Sequence, residues 1–372
     1  MDTLLWYLII VFLSIVFINC AYYLFFLKFT IPKSSKPNIS VVDFGVSIVI
    51  CSKNEANNLR ENVTHWLAQN YANFEIVLID DASIDDTSEV IKAYAKKDNR
   101  ITPVYVENNE AFWGSKKYAL TLGIKKAKYN HLILSDADCI PKSKDYVAIV
   151  ASQFTKNKQI VIGYGSYQYV KRSFLNALIR YETVLAALQY FGYAALGNPY
   201  MGVGRNLAYT KDLFYENRGF MDHMQVHSGD DDLFVNQAAT SQNTAICAIE
   251  STHTQSKPKT NWKSWITQKR RHITTATHYK TKDRFLLGLF YFTQLSTFLV
   301  AILLLALSYK WQLVLGALAI RYLIVGLVLN SANKHFKERS LLLLFPVLEF
   351  ILVCLQLTIF SANLISKPTR WK

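Results

Sequence analysis

The chain has 372 residues, of which 51% are hydrophobic and 14% are aromatic, and this composition excludes a disordered protein. The formal net charge is +14, yet no nucleic-acid recognition motif accompanies it, so we expect no nucleic-acid partner. The basic excess instead indicates contact with anionic lipid or with a phosphorylated substrate.

Four apolar runs are each long enough to cross a bilayer, which takes about 20 residues per helix. The first run lacks the basic start and the small-residue cleavage site of a signal peptide, so we interpret it as an anchor. The sequence therefore predicts an N-terminal anchor in residues 1–30, three transmembrane helices in residues 283–366 and a tail in residues 367–372. The four runs are residues 4–27, 285–308, 311–330 and 341–365.

Basic residues flank these runs unevenly. Three lysines follow the first run directly, and three basic residues lie between the third and fourth runs. The positive-inside rule places both groups in the cytosol, so we expect residues 40–282 to form a cytosolic domain and both termini to lie outside. Basic residues in the tail oppose this orientation. The groups are Lys28, Lys33 and Lys36, then Lys334, Lys337 and Arg339, and in the tail Lys367, Arg370 and Lys372.

Two ionisable residues interrupt the apolar runs, and a buried ion is unfavourable in lipid unless it is paired. Arg321 lies nine residues before the end of the third run at Asn330. Glu349 lies eight residues after the start of the fourth run at Leu341. In an antiparallel helix pair the two side chains lie at similar depth, so we predict that they form an ion pair. The alternative is a third run that lies along the interface, with Arg321 among the lipid headgroups.

Between the anchor and the later apolar runs, strand-like segments alternate with helix-like segments, which predicts an α/β fold with an open sheet. In such sheets ligands bind outside the carboxyl ends of the strands. Polar clusters follow three of the predicted strands: "SKNE" at 52–55, "DDASIDD" at 80–86 and "DAD" at 136–138. The predicted strands are residues 46–51, 75–79, 101–106 and 131–135, and the predicted helices are residues 55–70, 85–97 and 115–128.

Two other ligand motifs fail on spacing. A dinucleotide-binding loop needs Gly-x-Gly-x-x-Gly, but the first turn reads "CSKNEA", and "GVGRNL" has Leu207 in place of the third glycine. "DDASIDD" is not a calcium loop, because the twelfth position counted from Asp81 is Lys92, where a glutamate is required.

A further apolar stretch at residues 176–196 is too interrupted for a span and predicts an amphipathic helix at the membrane interface.

Asp136 and Asp138 project from the same side of an extended segment directly after a buried strand. Their mutual repulsion lowers stability unless a cation or hydrogen-bond donors neutralise it. Carboxylate oxygens suit Mg²⁺ and Mn²⁺, so a divalent cation is the first candidate. The alternative is a pair of turn-capping aspartates before Pro141.

Six short motifs follow one another along the chain: "VSIVICSKNEANNL", "EIVLIDDASIDDT", "WGSKKYALTLGI", "LILSDADC", "SGDDDLF" and "QKRRH". Their order resembles the family-two glycosyltransferases, specifically the membrane-bound branch marked by D, D, D and Q-x-x-R-W. That branch includes synthases of cellulose, hyaluronan and poly-N-acetylglucosamine and also ceramide glucosyltransferase. The resemblance covers residues 46–272 and the flanking apolar runs. It implies a glycosyltransferase A-type, Rossmann-like fold inserted between transmembrane helices, a nucleotide-sugar donor, a Mg²⁺ or Mn²⁺ ion and inversion at the sugar carbon.

By this resemblance Asp138 is a metal ligand, and Asp136 contacts the ribose or the same metal. A metal held there stabilises the charge that develops on phosphate oxygens as the nucleotide leaves. Lys116 aligns with the lysine of the family's Gly-Lys-x-x-Ala-Leu-Asn segment, so we expect its ammonium at the diphosphate, with Lys117 as the alternative.

The resemblance also assigns nucleotide contacts to the first two strand-end loops. Glu55, Asp80 and Asp81 are expected to bind the base and ribose of the donor. The alternative is that Asp80 or Asp81 serves only its own loop, and Ser83 is a candidate cap of the helix that follows.

"HSGDDDLF" is expected to supply the general base, a carboxylate within hydrogen-bond reach of the acceptor hydroxyl. Aligned on Leu233, the family's catalytic aspartate falls on Asp230. Because Gly229 replaces the glutamate that normally precedes it, the alignment can slip by one residue to Asp231. The alternative role for these acids is to charge the start of a helix through residues 234–239.

"TNWKSWITQKRRH" places Gln268 and Arg271 three residues apart on one helix face. By resemblance Arg271 binds the diphosphate and Gln268 lines the acceptor site, since arginine donates in a planar fork suited to phosphate. His272 replaces the family's tryptophan, which normally stacks under the acceptor. "KRRH" is also typical of a basic patch on lipid.

Taken together, the resemblance predicts an inverting, metal-dependent enzyme that moves a hexose from a UDP-linked donor to a lipid-linked acceptor. It would act at the cytosolic face of a bacterial cell membrane. The presence of three spans after the catalytic block, and of His272, favours the lipid acceptor. The alternatives are a processive polysaccharide synthase coupled to export, with a glycan acceptor, and a catalytically inactive membrane scaffold of the same fold.

Overall fold

The computed structural model describes residues 2–30, 42–107, 116–226, 228–339 and 341–366. The predicted tail at residues 367–372 lies outside this described part of the chain. The strands are β1 (Val46–Ser52), β2 (Phe74–Asp81), β3 (Ile101–Val106), β4 (His131–Asp136), β5 (Cys139–Pro141), β6 (Ile160–Gly163), β7 (Gly165–Tyr167), β8 (Leu207–Thr210), β9 (Thr244–Cys247) and β10 (Thr254–Ser256). The α-helices are α1 (Asp2–Thr30), α2 (Ala56–Leu67), α3 (Thr87–Lys97), α4 (Lys116–Lys126), α5 (Tyr146–Ala151), α6 (Phe174–Ala195), α7 (Lys211–Glu216), α8 (Asp232–Ala238), α9 (Trp262–Thr275), α10 (Thr281–Ala306), α11 (Trp311–His335) and α12 (Phe345–Ile365).

A mixed sheet of seven strands, in the order β3-β2-β1-β4-β8-β6-β9, forms the centre of the α/β domain. The first four strands pair in parallel, whereas β8 pairs antiparallel with both β4 and β6. The predicted α/β fold and its four predicted strands are confirmed. The register sets Ser52 beside Asp80 and Cys51 beside Asp136. The carboxyl ends of β1, β2 and β4 therefore meet at one edge of the sheet.

Helices cover both faces of this sheet, and every residue of β1 and β2 is buried as a result. One face packs against α2, α3 and α5. The other face packs against α4 and α6, and that core continues into side chains of α1, α10, α11 and α12. The sheet and the long apolar helices thus belong to one packed unit.

Helix α6 differs from the predicted amphipathic interface helix. Fifteen of its 22 residues are buried. It packs against α1, α11 and α12 and also against β7 and β9. The amphipathic prediction is wrong, because a helix enclosed by the sheet and by the long helices is apolar on nearly all sides.

Four helices, α1, α10, α11 and α12, are long and apolar enough to span a membrane. One precedes the α/β domain and three follow it, in the places that the apolar runs predicted. The predicted ion pair between the third and fourth runs is confirmed. Arg321 Nη1 donates to Glu349 Oε2 at 2.9 Å, and Nη2 lies 2.5 Å from Oε1. Arg321 is 0% exposed, which contradicts the alternative position among headgroups.

Further polar groups from two other helices complete this pair. Asn19 of α1 accepts a hydrogen bond from Arg321 Nε at 2.9 Å. Tyr23 of α1 and Gln294 of α10 donate to Glu349 Oε1 at 3.3 and 3.1 Å. The pair therefore connects all four long helices.

We expect Glu349→Gln to destabilise the protein by about 3–5 kcal/mol, because it leaves the buried Arg321 guanidinium without a counter-charge. The measurement is the thermal unfolding midpoint of detergent-solubilised protein. Glu61→Gln is the matched control, since Glu61 forms an exposed pair with Lys257 and its loss should cost less than about 1 kcal/mol. The double variant Arg321→Met with Glu349→Leu should recover most of the loss. A Glu349→Gln protein as stable as the parent would contradict the pair's structural role.

Candidate active site

Acidic side chains gather where β1, β2 and β4 end. Asp80 and Asp81 are the last two residues of β2, and Asp136 is the last residue of β4. Glu55 lies at the N-cap of α2, in the turn after β1. The structure thus brings these four acids to the edge of the sheet where α/β proteins bind ligands.

A tight turn carries the "DAD" motif from β4 into β5. Two side chains of α2 fix its backbone: the Asn62 amide donates to the Ala137 carbonyl at 2.8 Å, and the Trp66 indole donates to the Cys139 carbonyl at 3.1 Å. These bonds fix the turn that carries Asp136 and Asp138. Sequence analysis did not single out Asn62 or Trp66, because "ENVTHWL" reads only as an amphipathic helix.

The donor atoms of Asp136, Asp138 and Cys139 lie within 4.8 Å of one another. Two carboxylates fit a hard cation such as Mg²⁺ or Mn²⁺ that takes its other ligands from phosphate and water. Cys139 does not fit such a cation, because burial raises the pKa of its thiol well above the ordinary value and Ser256 Oγ lies 2.9 Å from its sulfur. The residues present therefore suit a hard divalent ion held by Asp136 and Asp138.

The two carboxylates of this motif titrate differently. Burial would raise the pKa of Asp136, but the charges of Lys116, Arg205 and Arg271 hold it below the ordinary value. Burial and the neighbouring Asp136 charge raise the pKa of Asp138. A cation between the two carboxylates would reduce the repulsion that raises the pKa of Asp138.

Lys116, the first residue of α4, connects this motif to a distant part of the chain. Its ammonium lies 2.9 Å from Asp136 Oδ1 and 2.8 Å from Asp230 Oδ2. Lys117, the alternative from the sequence, points elsewhere: its ammonium donates to the carbonyls of His223 and Val226 at 2.7 and 2.9 Å. Lys116 is thus the lysine at the acidic edge, and Lys117 fixes the segment that leads toward Asp230.

The three aspartates of "GDDDLF" have different surroundings. Asp231 is the N-cap of α8, and its two oxygens accept from the backbone N–H groups of Asp232 at 2.8 Å and Gly204 at 2.6 Å. Asp232 accepts from Tyr279 at 2.6 Å and from Thr275. Asp230 is 8% exposed, and its oxygen faces Lys116. Asp231 therefore caps α8 and Asp232 lies in its first turn, so the predicted role of charging the helix start falls on these two residues.

Burial, followed by the charges of Asp230 and Asp232, raises the pKa of Asp231 to about 7. A carboxyl that titrates there has a basicity suited to proton transfer near neutral pH. Its two backbone hydrogen bonds, however, hold it against the loop at Gly204. The contact with Lys116 therefore favours Asp230 as the base, whereas basicity favours Asp231.

Glu55, Asp80 and Asp81, which are predicted to bind the nucleotide, form hydrogen bonds or ion pairs with neighbouring residues in or beside the first two loops. Asn58 donates to Glu55 Oε2 at 2.5 Å, and the backbone N–H of Ser83 donates to Asp80 Oδ1 at 3.1 Å. Lys53 pairs with Asp81 at 3.5 Å, while burial raises the pKa of Asp81. The prediction that Ser83 caps the next helix is wrong. Asp86 holds that N-cap position, and Ser83 Oγ instead accepts from the backbone of the first loop.

Gln268 and Arg271 lie on α9, which confirms the predicted helix, and both are half-buried. The charge of Arg271 is close enough to lower the pKa of Asp136. The two residues between them turn to other helices. Lys269 pairs with Glu182 of α6 at 2.5 Å, and Arg270 Nε donates to Asn363 of α12 at 2.9 Å. Part of the predicted basic patch therefore joins α9 to neighbouring helices.

Arg205 is a site residue that sequence analysis missed. Its guanidinium lies over the Tyr167 ring, 4.2 Å from the centroid, and Nη1 donates to the Ser166 carbonyl at 3.3 Å. Its charge lowers the pKa of both Asp136 and Asp138. In the sequence, "GVGRNL" was compared only with a dinucleotide-binding loop, and nothing in that comparison indicated a role for its arginine. Three cations, Lys116, Arg205 and Arg271, thus act on the Asp136 carboxylate.

Two family profiles match the chain. The profile described as Glycosyl transferase family group 2 matches residues 131–362, which is more than half of the chain. The profile described as Glycosyl transferase family 2 matches residues 47–213.

Two relatives match shorter stretches. Glycosyltransferase GlyG of Streptococcus pneumoniae serotype 4 is 33% identical over 118 residues, which cover 32% of this chain and 38% of that protein. Poly-beta-1,6-N-acetyl-D-glucosamine synthase of Staphylococcus aureus is 32% identical over 134 residues, which cover 35% of this chain and 31% of that protein. The matched stretch therefore spans about a third of each relative.

One solved structure matches nearly the whole chain. The mannosyltransferase PcManGT from Pyrobaculum calidifontis, in complex with GDP-Man and Mn²⁺, aligns with a TM-score of 0.62 and 16% identity over 95% of this chain and 98% of that one. At this identity the likeness shows the fold, a glycosyltransferase A-like α/β domain with helices that could span a membrane. From the family profiles and this fold together, the chain belongs to the family-two glycosyltransferases.

Proposed function

We propose that the chain is an inverting, metal-dependent hexosyltransferase that uses a UDP-linked sugar and a lipid-linked acceptor. The observation that carries this proposal is the position of Lys116, whose ammonium contacts both Asp136 and Asp230. It supports a single site in which the metal-binding motif and a candidate base face the same reacting sugar.

In the proposed reaction, Asp138 and Asp136 would hold a Mg²⁺ or Mn²⁺ ion. That ion would act as a Lewis acid on the diphosphate. Lys116, Arg205 and Arg271 would stabilise the negative charge on the departing nucleotide, since preorganised cations in a buried site cost no reorganisation. Glu55, Asp80 and Asp81 would bind the base and ribose of the donor, as the family resemblance implies.

Asp230 would accept the proton of the acceptor hydroxyl as that oxygen attacks the sugar carbon. The Lys116 ammonium beside it would leave this contact for the diphosphate when the donor binds, which frees the Asp230 carboxylate to act as a base. Gln268 would line the acceptor side. One displacement by the acceptor gives inversion at the sugar carbon.

The acceptor is proposed to be a lipid held at the cytosolic face of a bacterial cell membrane. His272 stands where the family's tryptophan stacks under a glycan, which weakens the case for a long sugar chain. The similarity to poly-N-acetylglucosamine synthase favours a second candidate, processive synthesis of a polysaccharide. Product sizing after incubation with labelled donor separates the two, because a single discrete glycolipid excludes processive synthesis.

We expect Asp230→Asn to lower sugar transfer by on the order of 10² to 10⁴, because it removes the proposed base. Binding of UDP and Mn²⁺, measured by calorimetry, should change by less than about threefold, since Asp136 and Lys116 remain. Asp231→Asn is the matched control, and its amide oxygen can still accept one backbone hydrogen bond. If Asp231→Asn abolished transfer and Asp230→Asn did not, the base would be Asp231.

Asp138→Asn should weaken Mn²⁺ binding in the presence of UDP by on the order of tenfold or more, because one of two proposed carboxylate ligands loses its charge. Electron paramagnetic resonance of free Mn²⁺ measures this directly. Asp222→Asn, a change of an exposed aspartate paired with Arg218, is the control and should leave the affinity unchanged. Equal Mn²⁺ affinity in the two variants would contradict the metal assignment.

A further inference from the structure

The bundle of long helices, α1, α10, α11 and α12, has a domain end and a far end. Near the start of α10, Asp283 accepts a hydrogen bond from Asn198 of the α/β domain at 2.7 Å, which marks the domain end. At the far end, the Lys310 ammonium, in the turn between α10 and α11, lies over the Trp6 ring of α1, 5.4 Å from its centroid. Helix α1 also packs against both α10 and α11. These three helices therefore connect the two ends.

The loop between α11 and α12 lies at the domain end. Glu338 pairs with Arg180 of α6 at 2.7 Å and accepts from the Tyr164 hydroxyl, directly before β7, at 3.1 Å. Arg180 also donates to the Arg339 carbonyl at 3.0 Å. The Phe336 ring, directly after α11, stacks on Tyr164 with centroids 4.3 Å apart. The chain thus returns to the α/β domain before α12 begins.

The segment from this loop to α12 is too short to reach the far side of a membrane. Six residues lead from Arg339 to Phe345, the first residue of α12. An extended chain of that length spans at most about 22 Å, whereas a hydrocarbon core is about 30 Å thick. Phe345 meets the ring of Tyr322, halfway along α11, with centroids 5.7 Å apart. Helix α12 therefore begins partway along the bundle.

From that point α12 runs back toward the domain end. The Phe350 ring contacts the Phe298 ring of α10 with centroids 5.4 Å apart. One turn later, the Val353 carbonyl accepts from the Tyr291 hydroxyl at 3.1 Å. As α12 proceeds, its partners on α10 thus come closer to Asp283 and the domain.

The last turn of α12 meets α9, which the buried Trp265 fixes to the core of the α/β domain. Arg270 Nε donates to Asn363 Oδ1 at 2.9 Å, and the Asn363 amide donates back to the Arg270 carbonyl at 2.8 Å. Arg270 also donates to the Ala362 carbonyl at 3.3 Å and to the Ser366 carbonyl. The end of α12 is therefore bonded to the domain, as is the loop before its start.

We propose that α12 is a re-entrant helix, with both of its ends on the α/β-domain side of the membrane. Helices α1, α10 and α11 would then be the three that cross, and the chain would leave α12 on the domain side. This arrangement replaces the predicted third span after the domain and the predicted outer position of the tail. It does not depend on the proposed reaction.

The surface of α12 agrees with a helix embedded in one leaflet. Its outward side chains are apolar and exposed, and they suit hydrocarbon better than water. Pro346 lies in its first turn and has no N–H, so one of the donors that lack a partner at a helix start is absent. The exposed side chains are Val347, Phe350, Leu357, Phe360 and Leu364.

A re-entrant α12 also resolves the conflict among the basic residues of the sequence. The groups after the first apolar run and between the third and fourth runs favour a cytosolic position. The basic tail opposes that orientation only if α12 crosses. When α12 returns to the domain side, all three groups agree with the positive-inside rule. The tail residues are Lys367, Arg370 and Lys372.

The experiment is cysteine labelling of the full-length protein in spheroplasts of a bacterial host. Every variant also carries Cys354→Ala, because Cys354 is exposed and the other four cysteines are buried. Ser366→Cys reports the end of α12, Ser308→Cys the far end and Lys97→Cys the α/β domain, and the three native residues are exposed. A charged maleimide is added before or after permeabilisation, since it does not cross lipid.

We expect Ser366→Cys to follow Lys97→Cys, with labelling that increases about tenfold on permeabilisation when the domain is cytosolic, while Ser308→Cys is labelled equally before and after. If Ser366→Cys followed Ser308→Cys, α12 would cross and the proposal would be overturned.

Reporter fusions to the end of the full chain give a second readout that does not depend on one thiol. Alkaline phosphatase needs disulfides and is active only outside the cytosol, whereas green fluorescent protein reports the cytosol. We expect the reporter that is active to be the one for the side on which Lys97→Cys lies. Activity of the reporter for the opposite side would overturn the proposal. Neither measurement uses sugar transfer, so its outcome is separate from that of the proposed function.

Discussion

The acidic edge of the sheet depends on the Lys116 ammonium. Two buried carboxylates brought together without a counter-charge repel each other and lower stability. Lys116 lies within 3 Å of one oxygen of Asp136 and one of Asp230, residues that are 94 positions apart in the chain. Burial alone would lower the pKa of its ammonium, but the two carboxylates raise it well above the ordinary value. The lysine therefore stays charged and makes the convergence of acids stable before any ligand binds.

The position of this lysine follows from the packing of α4. Gly123 lets the helix approach the sheet closely, because a Cβ there would lie 2.2 Å from the Ile79 side chain. Ala119 and Leu120 are buried in the same core. With α4 held against the sheet, Lys116 reaches the end of β4, and Lys117 binds the carbonyls of the segment before Asp230. Two adjacent lysines thus have two roles, one electrostatic and one that fixes a loop.

Much of this arrangement was predictable from the sequence because it is encoded by periodicity and spacing. The apolar strands ending in "DD" and "DAD" fix both the parallel sheet and the edge where the acids lie. The ion pair between Arg321 and Glu349 was predictable because the rise of a helix places the two residues at similar depth. Charged residues are rare in membrane helices, so few other partners exist. The family motifs identified Lys116 by its place in a pattern, whereas the structure separates it from Lys117 by the direction of each side chain.

Other features depend on tertiary contacts that a single sequence does not reveal. Helix α6 is enclosed by elements before and after it in the chain, so its apolar faces could not be distinguished from a membrane-surface pattern. Arg205 is held by the ring of Tyr167 and by the Ser166 carbonyl, which are distant from it in sequence. Asp231 caps α8 through the backbone N–H of Asp232, and its other oxygen accepts from the backbone N–H of the distant Gly204, so three consecutive aspartates looked equivalent in the sequence.

The central claim is that these acids and Lys116 surround one donor and one cation. The most direct measurement is an experimental structure of the full chain with a UDP-sugar and Mn²⁺, in which anomalous scattering locates the metal. The account predicts a peak at about 2.0–2.6 Å from a carboxylate oxygen of Asp138, with Lys116 at the diphosphate and Asp230 facing the sugar. A metal bound elsewhere, or a donor sugar that does not face Asp230, would contradict it.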